Sequence, residues 1–164
     1  MSLFKRKRPP LDVNSEVTPA GTKATAITVR KVSKDALFRA ITDYPAYPEF
    51  MPRVVECRIV STEDDGALRV AQGIKVGPKT VRYTIRVVLS ESEGRVEWTL
   101  AEGDFKRLDG SWHLEDLGDG RVRITYVNLV DVGYKIPGWV SKSLVGGAMP
   151  EVVESALERA LAQG

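Results

Sequence analysis

Between Arg53 and Val132 apolar and polar residues alternate with a period of two, and the alternation is broken at the turn-forming clusters "EDDGA", "VGPK", "SEGR", "EGDF" and "LGDGR". A period of two sends successive side chains to opposite faces of a strand, so the spacing predicts six strands joined by hairpins. One face collects Val55, Cys57 and Ile59; Leu68, Val70, Ile74 and Val76; Val81, Tyr83, Ile85, Val87 and Leu89; Val96, Trp98 and Leu100; Trp112 and Leu114; and Val122, Ile124, Tyr126, Val130 and Val132. The other face is largely charged or Thr. An antiparallel sheet with one wet face needs a cover on the other.

The segments outside this region supply the cover. Thr-rich alternation in "TKATAITVRKV" predicts a strand, and "SKDALFRAIT" predicts a helix capped by Ser33, with Asp35 in its first turn and Val32 and Leu37 at the two positions of a hydrophobic staple. That helix runs into "YPAYPEFMPR", where Pro45 and Pro48 forbid smooth continuation and predict a short second helical turn at an angle. From Pro137 onward Val145, Met149, Val152, Val153, Ala156, Leu157, Ala160 and Leu161 recur at helical spacing. The expected architecture is α+β: a curved antiparallel sheet wrapped around a long C-terminal helix that starts near Pro137 and bends around Gly146, Gly147 and Pro150, with two short helices after the first strand. Residues 1–21, with Pro9, Pro10, Pro19 and Gly21, read as a flexible basic arm, and residues 22–164 as the folded domain.

Charge and composition narrow the function classes. Residues 1–20 hold Lys5, Arg6, Lys7 and Arg8 against Asp12 and Glu16, which leaves twenty residues of each sign in the remainder and a neutral body. Nucleic-acid binding needs a basic face, so none is expected, and the arm alone suits weak contact with an anionic membrane. One cysteine, Cys57, excludes an internal disulfide framework, and with one histidine, His113, no structural zinc cluster forms. No run approaches the length of a membrane span, and the basic start meets prolines where a signal peptide has its apolar stretch; a cytoplasmic protein, peripheral to a membrane at most, is expected.

The order of elements, together with "YPAYPEFMPRV", "FKRLDGSWHLE" and "IPGWVSKSL", resembles the START-like (SRPBCC) superfamily and, within it, the coenzyme Q-binding and polyketide cyclase/dehydrase branch, over roughly residues 22–162. The resemblance implies a helix-grip fold whose sheet curls around the terminal helix to leave an apolar cavity. It implies binding, and transport or presentation, of a hydrophobic small molecule such as an isoprenoid quinone or a lipid, without a cofactor. The alternative it carries is a cyclase/dehydrase-type enzyme using the same cavity. Quinone-binding members usually follow the elbow's last proline with Trp-Cys, whereas this chain has Arg53 and Val54.

Candidate site residues follow from face and position. Tyr44, Tyr47, Phe50 and Met51 sit on the proline-stiffened elbow, where the resemblance places a gate that is partly exposed when the cavity is empty. Gln72 and Asn128 interrupt the inner apolar face and, with Tyr83 and Tyr126, make the sparse polar set that small-molecule pockets show. Trp98 and Trp112 from the sheet, and Val145 and Met149 from the terminal helix, complete the expected ligand contacts. His113 alternates outward and Cys57 inward as a small buried hydrophobe, so no catalytic residue and no metal ligand is assigned. The cavity is expected to measure roughly 300–1,000 Å³, the usual range for such sites.

Overall fold

Each of the alternating segments becomes a strand, and each turn cluster joins two of them. In the computed structural model, which describes residues 11–132 and 149–163, the order is β1 (Asp12–Thr18), β2 (Gly21–Lys31), α1 (Lys34–Thr42), a 3-10 turn (Tyr44–Ala46), α2 (Tyr47–Phe50), β3 (Val54–Thr62), β4 (Leu68–Val76), β5 (Lys79–Ser90), β6 (Arg95–Gly103), β7 (Arg107–Gly118), β8 (Arg121–Asp131) and α3 (Met149–Gln163). The eight strands form one antiparallel sheet in the order β1-β2-β8-β7-β6-β5-β4-β3. It is a helix-grip fold, with the helices on the apolar face.

Helix α1 starts where the cap chemistry places it: the Ala36 N–H donates to Ser33 Oγ at 3.2 Å, and Val32 and Leu37 are both buried. Its core stripe is Ala36, Leu37, Ala40 and Ile41, and the helix packs against α3 and β7. The facing stripe of α3 is Val153, Ala156, Leu157 and Ala160, all buried, at the 3.6-residue spacing of one helical face. A fork of two hydrogen bonds from Arg30 on β2 to Glu154, at 2.6 and 3.2 Å, ties α3 to the sheet from the side.

The expected arm is corrected over Asp12–Thr18, which pairs with β2 from Asp12↔Ile27 to Thr18↔Gly21. Hydrogen bonds hold this edge strand while its side chains stay largely exposed, so it carries no burial pattern for a sequence reading to find. A second correction concerns β3. Val55 and Ile59 are 48% and 41% exposed, whereas Cys57 between them is buried. The register shifts between Val54 and Glu56 and between Ile59 and Ser61, so Val55 falls in the first bulge, and β3 is the free edge of the sheet. The expected helix start near Pro137 and the bend at Gly146 and Gly147 lie outside the described residues. No described helix is long and apolar enough to cross a membrane.

Candidate functional site

The elbow is built from rings and prolines. Pro45 opens the 3-10 turn and Pro48 opens α2, positions where a missing N–H is tolerated. The rings of Tyr44 and Tyr47 lie 5.0 Å apart and those of Tyr47 and Phe50 5.5 Å apart, and the Tyr47 hydroxyl donates to the carbonyl of Ile41 at the end of α1. Tyr44, Tyr47 and Met51 are thereby buried. This corrects the expectation of a partly exposed gate: with its hydroxyl tied to α1, Tyr47 belongs to the core. Of the four expected gate residues only Phe50 is half-buried, beneath the Arg159 guanidinium at 5.1 Å, while Arg159 also reaches Glu49 at 3.1 Å.

Below the elbow a cavity of about 130 Å³ separates it from the inner face of the sheet. Its wall includes Tyr44, Tyr47 and Met51 from the elbow, and from the sheet Gln72, Tyr83, Trp98, Trp112, Tyr126 and Asn128, which the alternation turns inward. Phe50 is absent from the wall; it packs at the margin of the core between Tyr47 and the Arg159 guanidinium. Val145, and the side chain of Met149, lie outside the described residues. The sequence reading missed Pro52, Arg53, Val54, Ile74, Ile85, Leu108 and Val152. Ile74 and Ile85 carried an inward alternation signal and Leu108 lies in the quoted "FKRLDGSWHLE". Arg53 carried none, since it reaches the wall through a left-handed backbone conformation, φ 66°.

The cavity is smaller than expected because aromatic side chains enter it. Tyr126 lies between Trp98 and Trp112, with centroids 5.9 and 4.5 Å away. Tyr83 stacks edge-on against Phe105 at 5.2 Å and donates its hydroxyl to Gln72 Oε1 at 2.6 Å. Gln72 Nε2 lies 3.5 Å from Cys57 Sγ. Gln72 and Tyr83 also border an open groove of about 620 Å³ reaching Glu56, Arg58, Arg82 and Glu102, so their bonded pair forms part of the partition between the two spaces.

Polar groups in the wall divide into used and unused. Gln72 is engaged at both ends of its amide. Asn128 Oδ1 is buried with no hydrogen-bond partner, and among the described residues the hydroxyls of Tyr44 and Tyr126 make no hydrogen bond either. Burial raises all four tyrosines of the wall above the ordinary phenol value, so they stay neutral and protonated at physiological pH. Burial likewise pushes the Cys57 thiol up to about 11, against a smaller opposing effect of Gln72. His113 is on the opposite face, 3.5 Å from Glu115. Among the described residues no three His, Cys, Asp or Glu side chains gather as metal ligands. The arrangement suits recognition of an apolar body by neutral hydrogen-bonding groups.

Comparison with known proteins agrees with this geometry. The family described as polyketide cyclase / dehydrase and lipid transport matches residues 31–156. The ribosome association toxin RatA of Pseudomonas aeruginosa is 26% identical over 123 residues, which is 75% of this chain and 81% of that protein. Among solved structures, a START superfamily protein from Mycobacterium smegmatis superposes with a TM-score of 0.74 at 18% identity, covering 87% of this chain and 99% of that one. The Zhui aromatase/cyclase from Streptomyces sp. R1128 does so with a TM-score of 0.68 at 14% identity, covering 86% and 92%. With the family matched from α1 through the elbow and strands β3 to β8 into the first half of α3, the chain belongs to the polyketide cyclase/dehydrase and lipid transport family of the START-like SRPBCC superfamily.

Proposed function

We propose that the protein binds a hydrophobic small molecule, of the isoprenoid quinone or lipid class, in the cavity beneath the elbow and holds or delivers it. The observation that supports this most directly is the wall itself: aromatic and aliphatic side chains surround a space in which Asn128, Tyr44 and Tyr126 keep unspent hydrogen-bonding capacity. Leaving a buried polar group unpaired costs about 1–3 kcal/mol, a cost that a bound ligand removes. The basic run at residues 5–8 suits approach to an anionic membrane, where such a ligand resides.

A cyclase/dehydrase-type activity is the second reading, favoured by the neutral Tyr44 and Tyr126 hydroxyls in the wall. Such groups orient a carbonyl and donate to it, so catalysis here would proceed by positioning. Native mass spectrometry of protein purified from its own host tests the primary reading, with a co-purified quinone or lipid as the expected result. A ligand-free protein that also fails to take up any quinone or lipid offered in detergent would reject it. Binding of anionic vesicles by the full chain but not by a chain lacking residues 1–10 is expected if the basic run acts at a membrane.

A further inference from the structure

We infer that the cavity receives a head group consisting of a single six-membered ring that bears a hydroxyl, a monocyclic phenol. The inference rests on the reading that this cavity binds small molecules, and it defines which part of the ligand enters. Size is the first constraint. An apolar protein cavity of about 150 Å³ accepts benzene, and the space beneath the elbow measures about 130 Å³. One ring fills it; a fused polycycle requires the wall to move.

The wall supplies the second constraint. Trp98, Tyr126 and Trp112 present a run of tilted rings to the space, surfaces on which an aromatic guest packs edge-on or offset. Hydrogen bonding supplies the third. Gln72 and Tyr83 satisfy each other and do not compete for a guest. Asn128 Oδ1 is an acceptor without a donor, and the terminal torsion of Asn is soft, so a small rotation offers the amide to the cavity. A carbonyl on the guest has no proton to give and leaves this oxygen unpaired. A hydroxyl donates to it and still accepts from the neutral Tyr126 phenol, whose proton burial retains. The reduced, dihydroxy form of a quinone ring satisfies both groups; the oxidised form accepts from Tyr126 and leaves Asn128 Oδ1 unpaired.

Phenol and toluene have nearly the same shape and differ in the hydroxyl, so they separate ring from hydrogen bond. Titration of the full chain with each, and with oleate, is followed through the indole N–H signals of Trp98 and Trp112 in nitrogen-edited NMR spectra. The expected result is phenol binding about tenfold tighter than toluene, the discrimination given by one buried hydrogen bond. In Asn128→Leu the preference should vanish while toluene affinity is retained, which also reports that the variant folds. Equal affinity of the two rings for the natural chain would overturn the hydroxyl requirement, and a preference surviving in Asn128→Leu would overturn its assignment to Asn128. Response to oleate but to neither ring would reject the single-ring head while leaving hydrophobic binding intact. Response to none of the three would reject both.

Discussion

The indole of Trp98 lies directly over Gly110: a Cβ at Gly110 would stand 2.3 Å from Trp98 Cζ2 and 2.4 Å from Cε2. The two residues are cross-strand partners, and Gly110 pairs on its other side with Asn128. The missing side chain lets the indole settle against the sheet and leaves the cavity above it. Gly110→Ala should therefore displace Trp98 into the cavity and cost about 1–3 kcal/mol, the range for overpacking a close-fitted interior. Urea denaturation reads the loss, and the Trp98 indole signal reads the displacement; an unchanged signal would mean that the backbone yields instead.

Burial separates two neighbouring aromatics of the elbow. Tyr47 is 7% exposed and bonded through its hydroxyl to Ile41, whereas Phe50 is half-buried under Arg159. Tyr47→Ala should cost about 3–5 kcal/mol, as for a central aromatic, and Phe50→Ala distinctly less. Tyr47→Phe isolates the hydroxyl and should cost about 1 kcal/mol or somewhat more, since the Ile41 carbonyl loses its donor. Equal losses for Tyr47→Ala and Phe50→Ala would make the elbow one packed unit.

Stability should fall in alkali. The folded state holds Cys57 protonated from its ordinary 9.0 up to about 11, and it raises the four wall tyrosines above their ordinary 10.0. The contribution of each group is complete below its unfolded pKa. As pH climbs past that value the unfolded chain releases protons that the folded chain still holds, so the contribution declines until the folded pKa is reached. Melting temperatures measured from pH 7 to 11 should start to drop near 9, and Cys57→Ala should flatten the first part of the fall. A flat profile would show that these groups are solvated in the native protein.

Strand β1 is expected to matter more than its exposed side chains suggest. It occupies the outward backbone groups of β2 over seven paired residues, and Leu11 beside it packs against the core. Removing residues 1–10 should leave melting nearly unchanged. Removing residues 1–20 exposes the β2 edge, which should lower the melting temperature and promote association, because an unpaired edge templates further strands. Light scattering of the two truncations distinguishes them, and identical behaviour would restore the whole segment to the status of an appendage.

What could be read in the sequence was whatever burial had stamped on it. The strands β3 to β8 and the inward Gln72, Tyr83, Tyr126 and Asn128 all followed from one periodic pattern, since those side chains answer to a covered face, and the Ser33 cap followed from its residue type and position. Strand β1 answers to backbone hydrogen bonds alone and left no pattern. The bulge at Val55 shifts phase without changing composition, and Ile59 keeps the phase of Cys57 but lies on the edge strand, so both exposed residues looked buried. At the elbow the residue types were readable but their direction was not: Tyr47 and Phe50 are equally aromatic, and only the hydrogen bond to Ile41 and the cation over Phe50 distinguish inside from outside.

Asn128 offers the sharpest test of whether stability has been given up for binding. Its Oδ1 is buried without a partner, opposite Ala24 on one strand and Gly110 on the other, two residues that bring no side-chain polar group to it. A leucine repeats the branching of asparagine, with somewhat bulkier methyl groups, but has no polar atom to desolvate. Asn128→Leu should therefore raise the unfolding free energy of the empty protein by about 1 kcal/mol, the low end of the cost of an unpaired buried polar group. The gain should appear as a higher urea midpoint at unchanged m-value, since the area exposed on unfolding is little altered. With ligand present the order should reverse, because the natural chain then pairs the amide while the variant cannot. If Asn128→Leu instead destabilises the empty protein, the amide is structurally satisfied, and Tyr44 and Tyr126 become the groups on which recognition depends.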